Sequence, residues 1–319
     1  MVFRRATAAR RRIVAAAFTL ILVGSAFVPT ADAQYTLGAG VVSSGATEAG
    51  GGDYTLRGTL GQPAVGLTAG TTHDLWQGFW YAREALLPPA LIFANLRVLL
   101  EGPYAGSGQM AKQLNPAYVP LSQPYGDAHF DETPVHYEGG EGTGSLHSDA
   151  VDWVVVEVRT GTAPTDSVTS RAGFVMTDGS VRDTDGTSLL GFPGLAAGDY
   201  RLVVRHRNHI PVMTATAVTL GLSPTLYNFT DAMAKAYTPG SGNPMVALGD
   251  GLFGMFASDY NCDGQVTAPD FNAYISATTA GATGYVHSDF NMDGQVTAPD
   301  FNRYYANTTS GAANQVPEN

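Results

Sequence analysis

The sequence predicts a mainly β protein that carries a small helical module near its C-terminal end. The 319 residues include 38 Gly and 18 Pro, which interrupt helices. Outside the last quarter of the chain, apolar residues fall in short alternating runs that are typical of strands. Near the C-terminal end, an Asp-rich pattern of twelve residues occurs twice, 30 residues apart, which leaves room for one short helix after each copy.

The first 33 residues have the pattern of a secretory signal peptide. Five arginines precede an uncharged apolar stretch at residues 13–28, and Ala31-Asp32-Ala33 supplies small residues for cleavage before Gln34. We therefore expect a secreted protein that is extracellular or at the cell surface, with the membrane involved only in export. An anchor retained at the N-terminus is the alternative interpretation.

Charge and cysteine content restrict the possible partners. The formal net charge is −11, and it becomes −15 once residues 1–33 are removed. Because phosphate contacts need clustered cations and the chain has only two lysines, Lys112 and Lys235, nucleic acid is not an expected partner. Cys262 is the only cysteine. No disulfide can form within the chain, so packing and bound metal must stabilise it outside the cell.

Residues 34–88 are a Gly-rich segment in which we expect short strands separated by glycine turns. The phrase Tyr-Thr-Leu-Arg-Gly-Thr-Leu-Gly-Gln, followed later by Gly-Phe-Trp, resembles modules at the front of secreted bacterial surface proteins. The aromatic residues near the end of this segment, Trp76, Phe79, Trp80 and Tyr81, could stack on an extracellular carbohydrate. Strand alternation, however, places Trp76 and Trp80 on one face and Phe79 and Tyr81 on the other, which favours core packing.

Residues 89–232 are predicted to form one β-sandwich domain after a Pro-rich linker. The clearest strands are at 91–100, 151–158 and 200–206. Valines on both faces of the second strand predict a central position that is covered on both sides. The phrase Gly-Leu-Ala-Ala-Gly-Asp-Tyr-Arg-Leu-Val-Val at 194–204 resembles a strand signature of prealbumin-like and related immunoglobulin-like sandwich modules.

Charged side chains on the third strand have two interpretations. Arg201, Arg205 and Arg207 share one face and could bind an anionic sugar or a carboxylate. Pairing with Asp152 or Glu157 on a neighbouring strand is the interpretation we favour, because charged residues on sheet faces usually pair in this way.

Two histidines follow the same strand closely. His206 and His209 are three residues apart on an extended segment, so we expect them to face opposite sides. With no third ligand evident, the sequence argues against a zinc site.

Residues 233–310 contain the repeated pattern as two loops, 259–270 and 289–300, and residues 311–319 form a tail. Oxygen-bearing side chains at positions 1, 3, 5 and 12, a backbone carbonyl at position 7, a water-bridging Thr at position 9 and Gly at position 6 are what a calcium loop requires. The predicted ligands of two Ca²⁺ ions are Asp259, Asn261, Asp263, Gln265, Thr267 and Asp270 in the first loop, and Asp289, Asn291, Asp293, Gln295, Thr297 and Asp300 in the second.

The sequence also predicts the surroundings of the residues at positions 8 and 4 of the loops. The valines at position 8, Val266 and Val296, are where we expect the paired loops to meet. Cys262, at position 4 of its loop, is expected to point away from the ion.

The duplicated loop with Asp at position 12, running on into Asp-Phe-Asn, resembles a dockerin module, an EF-hand-like unit that binds calcium. The resemblance implies a cohesin-like protein partner outside the cell. An alternative without docking is that two calcium ions stabilise a terminal domain too small to fold without help.

The sequence shows no nucleophile elbow, zinc-protease motif or phosphate loop. Glu138, Glu141 and Asp149 are candidates for a glycoside hydrolase by residue type only. We therefore expect a non-catalytic, secreted, calcium-binding surface or matrix protein. The alternative is a dockerin-bearing carbohydrate-binding or glycoside hydrolase component of an extracellular polysaccharide-degrading system.

Overall fold

The computed structural model describes residues 91–125 and 140–318 in full, and only the strand backbone at 45–51, 54–60, 66–69 and 74–77. The chain divides into two compact units, Met1–Pro89 and Ala90–Asn319. In the first unit, β1 (Gly45–Gly51) pairs with β2 (Tyr54–Leu60) and β3 (Gly66–Ala69) with β4 (Asp74–Gln77), both antiparallel. The predicted signal peptide and the residues after Trp76 in the aromatic cluster lie outside the described residues.

One antiparallel sheet forms the framework of the second unit. Its strands are ordered β11-β10-β9-β13-β14, and β15 also pairs with β13. Their bounds are β9 (Ala150–Arg159), β10 (Ser167–Met176), β11 (Val181–Arg182), β13 (Gly198–His206), β14 (His209–Met213) and β15 (Val218–Leu220).

Strand β9 is central, as its valines predict. All ten of its residues are buried, and it pairs with β10 on one side and β13 on the other. Trp153 packs against Phe174 of β10, with ring centroids 4.0 Å apart. The prediction of a strand covered on both faces is therefore confirmed.

Short strand pairs surround this sheet. They are β5 (Leu91–Ala94) with β12 (Leu190–Pro193), β6 (Leu96–Arg97) in parallel with β16 (Tyr227–Asn228), β7 (Tyr104–Gly106) with β8 (Gln109–Met110), and β17 (Val246–Gly249) with β18 (Leu252–Gly254). The strand predicted over 91–100 is thus divided into β5 and β6, because the two halves pair with different partners.

Two helices follow the repeated loops, as their spacing predicts. Helix α1 (Ala268–Ala280) and helix α2 (Ala298–Ser310) each begin after a Thr and carry a Pro in the first turn. Each ends at a glycine in the left-handed region, Gly281 with φ 63° and Gly311 with φ 69°, where a residue without a Cβ is least strained. Single-turn 3-10 helices occur at Pro164–Asp166 and Met233–Lys235.

Among the residues that the structure describes, strands account for 36% and helices for 15%. This part of the protein is mainly β, with two α-helices late in the sequence. Both helices, both loops and the sheet belong to the same compact unit, Ala90–Asn319. Within the described part of the chain, no helix is both long enough and apolar enough to cross a membrane.

Candidate metal centre

The two Asp-rich loops adopt the same backbone conformation. At position 4, Cys262 has φ 57° and Met292 has φ 59°; at position 6, Gly264 has φ 79° and Gly294 has φ 89°. Positive φ at two fixed positions curls each loop tightly, and glycine removes the Cβ strain at the second of them. The repeat in the sequence is therefore a repeat in three dimensions.

The first and sixth positions are connected by a hydrogen bond in both loops. The N–H of Gly264 donates to Oδ2 of Asp259 at 3.1 Å, and the N–H of Gly294 donates to Oδ2 of Asp289 at 2.8 Å. The carboxylate at position 1 thus lies inside the curve of its own loop.

The hydrogen bonds accepted by the Asp at position 5 are also the same in both loops. The N–H of Gln265 donates to Oδ1 of Asp263, and that of Gln295 to Oδ1 of Asp293, each at 2.9 Å. The Asn at position 3 donates from Nδ2 to the other oxygen of the same Asp, from Asn261 at 2.9 Å and from Asn291 at 2.8 Å.

The carboxylate at position 12 reaches back across the loop. Asp270 accepts from the N–H of Tyr260 and of Thr267, both at 2.8 Å. Asp300 accepts from the N–H of Asn291 at 3.0 Å and of Thr297 at 2.7 Å. The same residue therefore closes the loop and, through the Thr N–H, caps the start of the helix.

Burial makes these carboxylates costly to ionise. Asp259 is 1% exposed, and Asp270, Asp289 and Asp300 are fully buried. Burial raises the pKa of Asp270 and of Asp300, and it raises the pKa of Asp289 to about 7, although the N–H of Gly294 and the charge of Arg207 oppose that rise. A hard cation held by such carboxylates would offset the cost of keeping them charged.

The oxygen atoms of the two loops are of the chemical types that bind calcium. Calcium is held by carboxylate, amide and backbone carbonyl oxygens, and each loop presents all three. Within residues 91–125 and 140–318, no three Asp, Glu, His or Cys side chains form a group that could hold a metal ion. Carboxylates alone would therefore not complete the site, and the Asn oxygen at position 3 and the carbonyl at position 7 would have to contribute.

Each loop pairs with the stretch that follows the other loop's helix. Gln265 bridges to Ala313, after α2, and Gln295 bridges to Thr283, after α1. The prediction that the loops meet at their position-8 valines is wrong. Val266 packs with Ile210, Phe256 and Ala312, whereas Val296 packs with Tyr274 and Phe290, because the exchanged pairing places the two valines in separate clusters.

The residues at position 4 connect the loops to the main sheet. Met292 is 1% exposed and belongs to the same core as Trp153, and Cys262 packs against that core. The Sγ of Cys262 donates to the backbone carbonyl of Arg207 at 3.4 Å. As predicted, Cys262 is directed towards the sheet and not into the loop.

A polar cluster at the turn between β13 and β14 also holds the second loop. Arg207 donates from Nε to Oδ2 of Asp152 at 2.9 Å and from Nη1 to the carbonyl of Val286 at 2.7 Å. Its guanidinium lies 4.2 Å from the ring centroid of Tyr285, whose hydroxyl donates to Oδ1 of Asp152 at 2.6 Å. Opposite charges and aromatic contact thus fix the chain that leads into the second loop.

The two histidines lie together and do not face opposite sides. They are partners across the β13–β14 hairpin, and their Nδ1 atoms are 2.9 Å apart. The expectation from simple alternation is wrong because the chain reverses at Arg207 and Asn208, so the residues on either side of the turn become neighbours.

Hydrogen bonding fixes the tautomer of each ring. His206 Nε2 lies 3.2 Å from Oδ2 of Asp152, an ionised acceptor, so Nε2 carries the proton. His206 Nδ1 then accepts from His209 Nδ1, and His209 Nε2 accepts from the N–H of Gly102 at 3.1 Å. Burial lowers the pKa of both rings, that of His209 well below its usual value. Both rings are therefore neutral near pH 7.

Two of the three arginines pair with acidic residues of β9, as the sequence predicts. Arg205 Nη2, on β13, lies 3.0 Å from Oε2 of Glu157, and Arg207, in the turn after β13, pairs with Asp152. Arg201 instead donates to the carbonyls of Thr214 at 2.9 Å and Ala215 at 2.7 Å.

The candidate hydrolase carboxylates have structural partners. Glu141 lies 3.4 Å from Arg171 and Asp149 lies 2.9 Å from Lys112, while Glu138 lies outside the described residues. These two ion pairs hold neighbouring loops together, and they add nothing to the hydrolase alternative.

Several residues that hold the loops were not identified from the sequence. The fully buried Asn208 belongs to the β13–β14 turn, and Glu101 accepts hydrogen bonds from the N–H of Ala257 at 3.0 Å and from Nδ2 of Asn307 at 2.6 Å. Glu101 is 156 positions from Ala257 and 206 positions from Asn307 in the sequence, so no local pattern indicates these contacts.

No protein-family model, curated protein or solved structure matches this chain.

Proposed function

We propose that this chain is a secreted, non-catalytic calcium-binding protein of the cell surface or extracellular matrix. Each of its two loops binds one Ca²⁺, and the ions stabilise the second unit or prepare it for docking. The N-terminal sequence pattern supports export, and the ligands are the twelve residues predicted from the two loops.

The observation that carries the proposal is the buried carboxylate pair of each loop. Asp259 and Asp270 in one loop, and Asp289 and Asp300 in the other, are 0 to 1% exposed and curl inwards. Buried acidic side chains are rare unless paired or coordinated to metal. Two independent loops with the same arrangement support a shared ligand more strongly than one loop would.

The finer fold that we propose is a β-sandwich of immunoglobulin or prealbumin type followed by a dockerin-like pair of loop-helix units. The sandwich is supported by the strand pair β5–β12, which contributes Ile92 and Phe192 to the core beneath β9 and β10. The dockerin-like assignment is supported by the exchanged pairing of the loops and by the length of one helix after each loop.

Stabilisation is the role that the contacts favour. Met292 and Cys262 extend from the loops into the sheet core. Glu101, a few residues after β6, is connected to helix α2 by the hydrogen bond that it accepts from Asn307. Ordering the loops therefore orders residues of the sheet as well. Bound calcium would stabilise the whole second unit, because a ligand that binds only the native state stabilises it by mass action.

Docking is a second candidate role, and exposed apolar side chains on the two helices favour it. Ile275 on α1 is 45% exposed and Tyr305 on α2 is 60% exposed. A cohesin-like partner would cover such residues. Under this alternative, the chain would be the docked component of an extracellular polysaccharide-degrading system.

The test is a calorimetric calcium titration of the chain without residues 1–33, after treatment with chelator. We expect two binding sites. Asp263→Ala should remove or weaken the first site and Asp293→Ala the second, whereas Asp231→Ala, at an exposed Asp outside the loops, should leave both unchanged. Calcium should also raise the unfolding temperature of the parent chain.

A folded chain that gives neither calcium heat nor a shift in unfolding temperature would overturn the proposal. Loss of stabilisation in a variant that combines Asp263→Ala and Asp293→Ala, with no capture of extracellular proteins in calcium by the parent chain, would assign the ions to stability. Calcium-dependent capture that Tyr305→Ala abolishes would assign them to docking.

A further inference from the structure

The segment after helix α2 packs against the main sheet in an apolar cluster separate from the core that contains Trp153. Val316 is 5% exposed and packs against Val203 and Met213, with Tyr237 at the edge of the cluster. These sheet residues form an apolar contact separate from the main core, and Val316 fills it.

Two arginines beside this apolar contact bind the following residues. The side chain of Arg159 is only 1% exposed, and its Nη1 donates to the backbone carbonyl of Pro317 at 2.9 Å. Arg205 binds Glu318 with two parallel hydrogen bonds, from Nη1 to Oε1 at 3.0 Å and from Nη2 to Oε2 at 2.9 Å. Planar guanidinium groups recognise carboxylates in this two-point geometry.

The arginines are held in place independently of the segment. Glu157, 1% exposed at its side chain, accepts from Nε of Arg159 at 2.6 Å and from Nη2 of Arg205 at 3.0 Å. Burial raises the pKa of Glu157, but the hydrogen bond from Arg159 and the charge of Arg205 outweigh burial and lower it overall. Glu157 therefore stays ionised and orients both guanidinium groups.

The segment also has a defined internal shape. The N–H of Val316 donates to Oδ1 of Asn314 at 2.8 Å, and Nδ2 of Asn314 donates to Oε1 of Glu318 at 3.1 Å. The side chain of Asn314 thus sets the spacing between the apolar residue and the acidic residue. An apolar anchor, a bound backbone carbonyl and a charged anchor are together the elements of peptide recognition.

We propose that this part of the sheet is a peptide-binding site, which the chain's own residues 314–318 occupy, and that its ligand class is a short peptide with an apolar residue two positions before a carboxylate. The occupant is exchangeable. Its contacts with the sheet are one apolar side chain, the hydrogen bond from Arg159 to the Pro317 carbonyl and one two-point ion pair. The side chain of Glu318 remains 28% exposed, so the gain from binding is close to the cost of ordering the segment.

The test uses a chain that ends at Ala312 and a labelled synthetic peptide with the sequence of residues 313–319. We expect binding with a dissociation constant on the order of 0.1 to 1 mM, because the contact is small. The full-length chain should bind the same peptide at least severalfold more weakly, because its own segment is present at a high effective concentration.

Matched variants separate recognition from general attraction. Arg205→Gln in the shortened chain should weaken peptide binding about tenfold or more, whereas Arg201→Gln, on the same strand face but bound to Thr214 and Ala215, should not. Peptides with Glu318→Gln or Val316→Ser should bind less well. Peptide binding that is absent at millimolar concentration, or unaffected by Arg205→Gln, in a shortened chain shown to be folded would overturn the proposal.

If the shortened chain does not fold, hydrogen exchange on the intact protein provides the test. An exchangeable occupant predicts that the amide of Val316 exchanges at least 100-fold faster than that of Val203 in β13. Equal protection of the two amides would show that the segment opens only with the whole unit, and the proposal would be wrong.

Discussion

The side-chain amide of Asn208 donates a hydrogen bond of 2.9 Å to the backbone carbonyl of Asp289, the first residue of the second loop. The same Nδ2 donates to the carbonyl of His287 at 3.0 Å. A single buried side chain in the β13–β14 turn therefore holds the entry to a candidate calcium loop. Residues 81 positions apart in the sequence become one structural unit.

We expect Asn208→Ala to destabilise the protein by about 2 kcal/mol, because the buried carbonyl of Asp289 and the part-buried carbonyl of His287 lose their donor. Calcium affinity should fall at the second loop and not at the first. The first loop is bound through the backbone carbonyl of Asn208, which accepts from the N–H of Asp259 and is kept in the variant. Urea unfolding and calcium titration of the variant measure the two effects.

Asn302→Ala is the control for Asn208→Ala. Asn302 is exposed on helix α2, and its replacement should change unfolding by less than about 0.5 kcal/mol. If the two variants unfold alike, the turn does not hold the loop.

The different burial of Met292 and Cys262, the residues at position 4 of the two loops, leads to a second prediction. Met292→Ala should lower the free energy of unfolding by roughly 2 to 5 kcal/mol, because it leaves a cavity in the main core. Cys262→Ala, at the same loop position and with nearly the same φ, should cost under about 1 kcal/mol, because Cys262 is only partly buried.

The comparison cancels the strain of a positive φ, which both replacements share. Urea unfolding with calcium in excess provides the measurement. A larger loss of unfolding free energy from Cys262→Ala than from Met292→Ala would contradict the burial of these two side chains in the structure.

The histidine pair predicts a dependence of stability on pH. The unfolded chain binds protons at His206 and His209 with a pKa near 6.5, whereas the folded chain binds them only at lower pH. The unfolded state therefore takes up more protons below about pH 6.5, and stability falls as pH decreases through that value. The loss should reach up to about 1.4 kcal/mol per histidine at pH 5.5.

Burial is the largest cause of the lowered pKa of both rings, and the charges of Arg207 and Arg303 lower the pKa of His209 further. Asp152, which stays ionised because its pKa is about 2, opposes the shift at His206 without reversing it. Unfolding by urea at pH 5.5 and pH 7.5, with calcium in excess, should show a smaller pH effect in His209→Gln than in the parent. His147→Gln, outside the cluster, should keep the full effect. Equal pH dependence in the parent and both variants would show that His206 and His209 do not cause it.

Local patterns were sufficient for several elements. The alternating valines of residues 151–158 predicted a strand covered on both sides, because a strand needs apolar residues on both faces when both faces of its sheet are buried. The repeated Asp-rich loops predicted two short helices, since Thr, Pro and Asp in sequence form a strong helix start. The pairing of Arg205 and Arg207 with acidic residues of β9 followed from the expectation that charges on neighbouring strands pair.

Other expectations failed where the chain turns or meets a distant segment. His206 and His209 were assigned to opposite faces because no strong turn signal marks Arg207 and Asn208. Val266 and Val296 were expected to meet, but each loop pairs beyond the other's helix. The first outcome depends on a tight turn that the local sequence does not mark, and the second on segments far apart in the chain, so neither could be predicted from spacing.

The sequence by itself determined the mainly β class, the two helices and the identity of the candidate calcium ligands, because strand alternation, helix starts and loop spacing are local properties. Only the tertiary structure decided that the loops are attached to the sheet through Met292, Cys262 and Asn208, and that Val316 and Glu318 pack against the sheet at Val203 and Arg205. Those contacts join residues far apart in the chain, and burial selects among them only once the whole unit is packed.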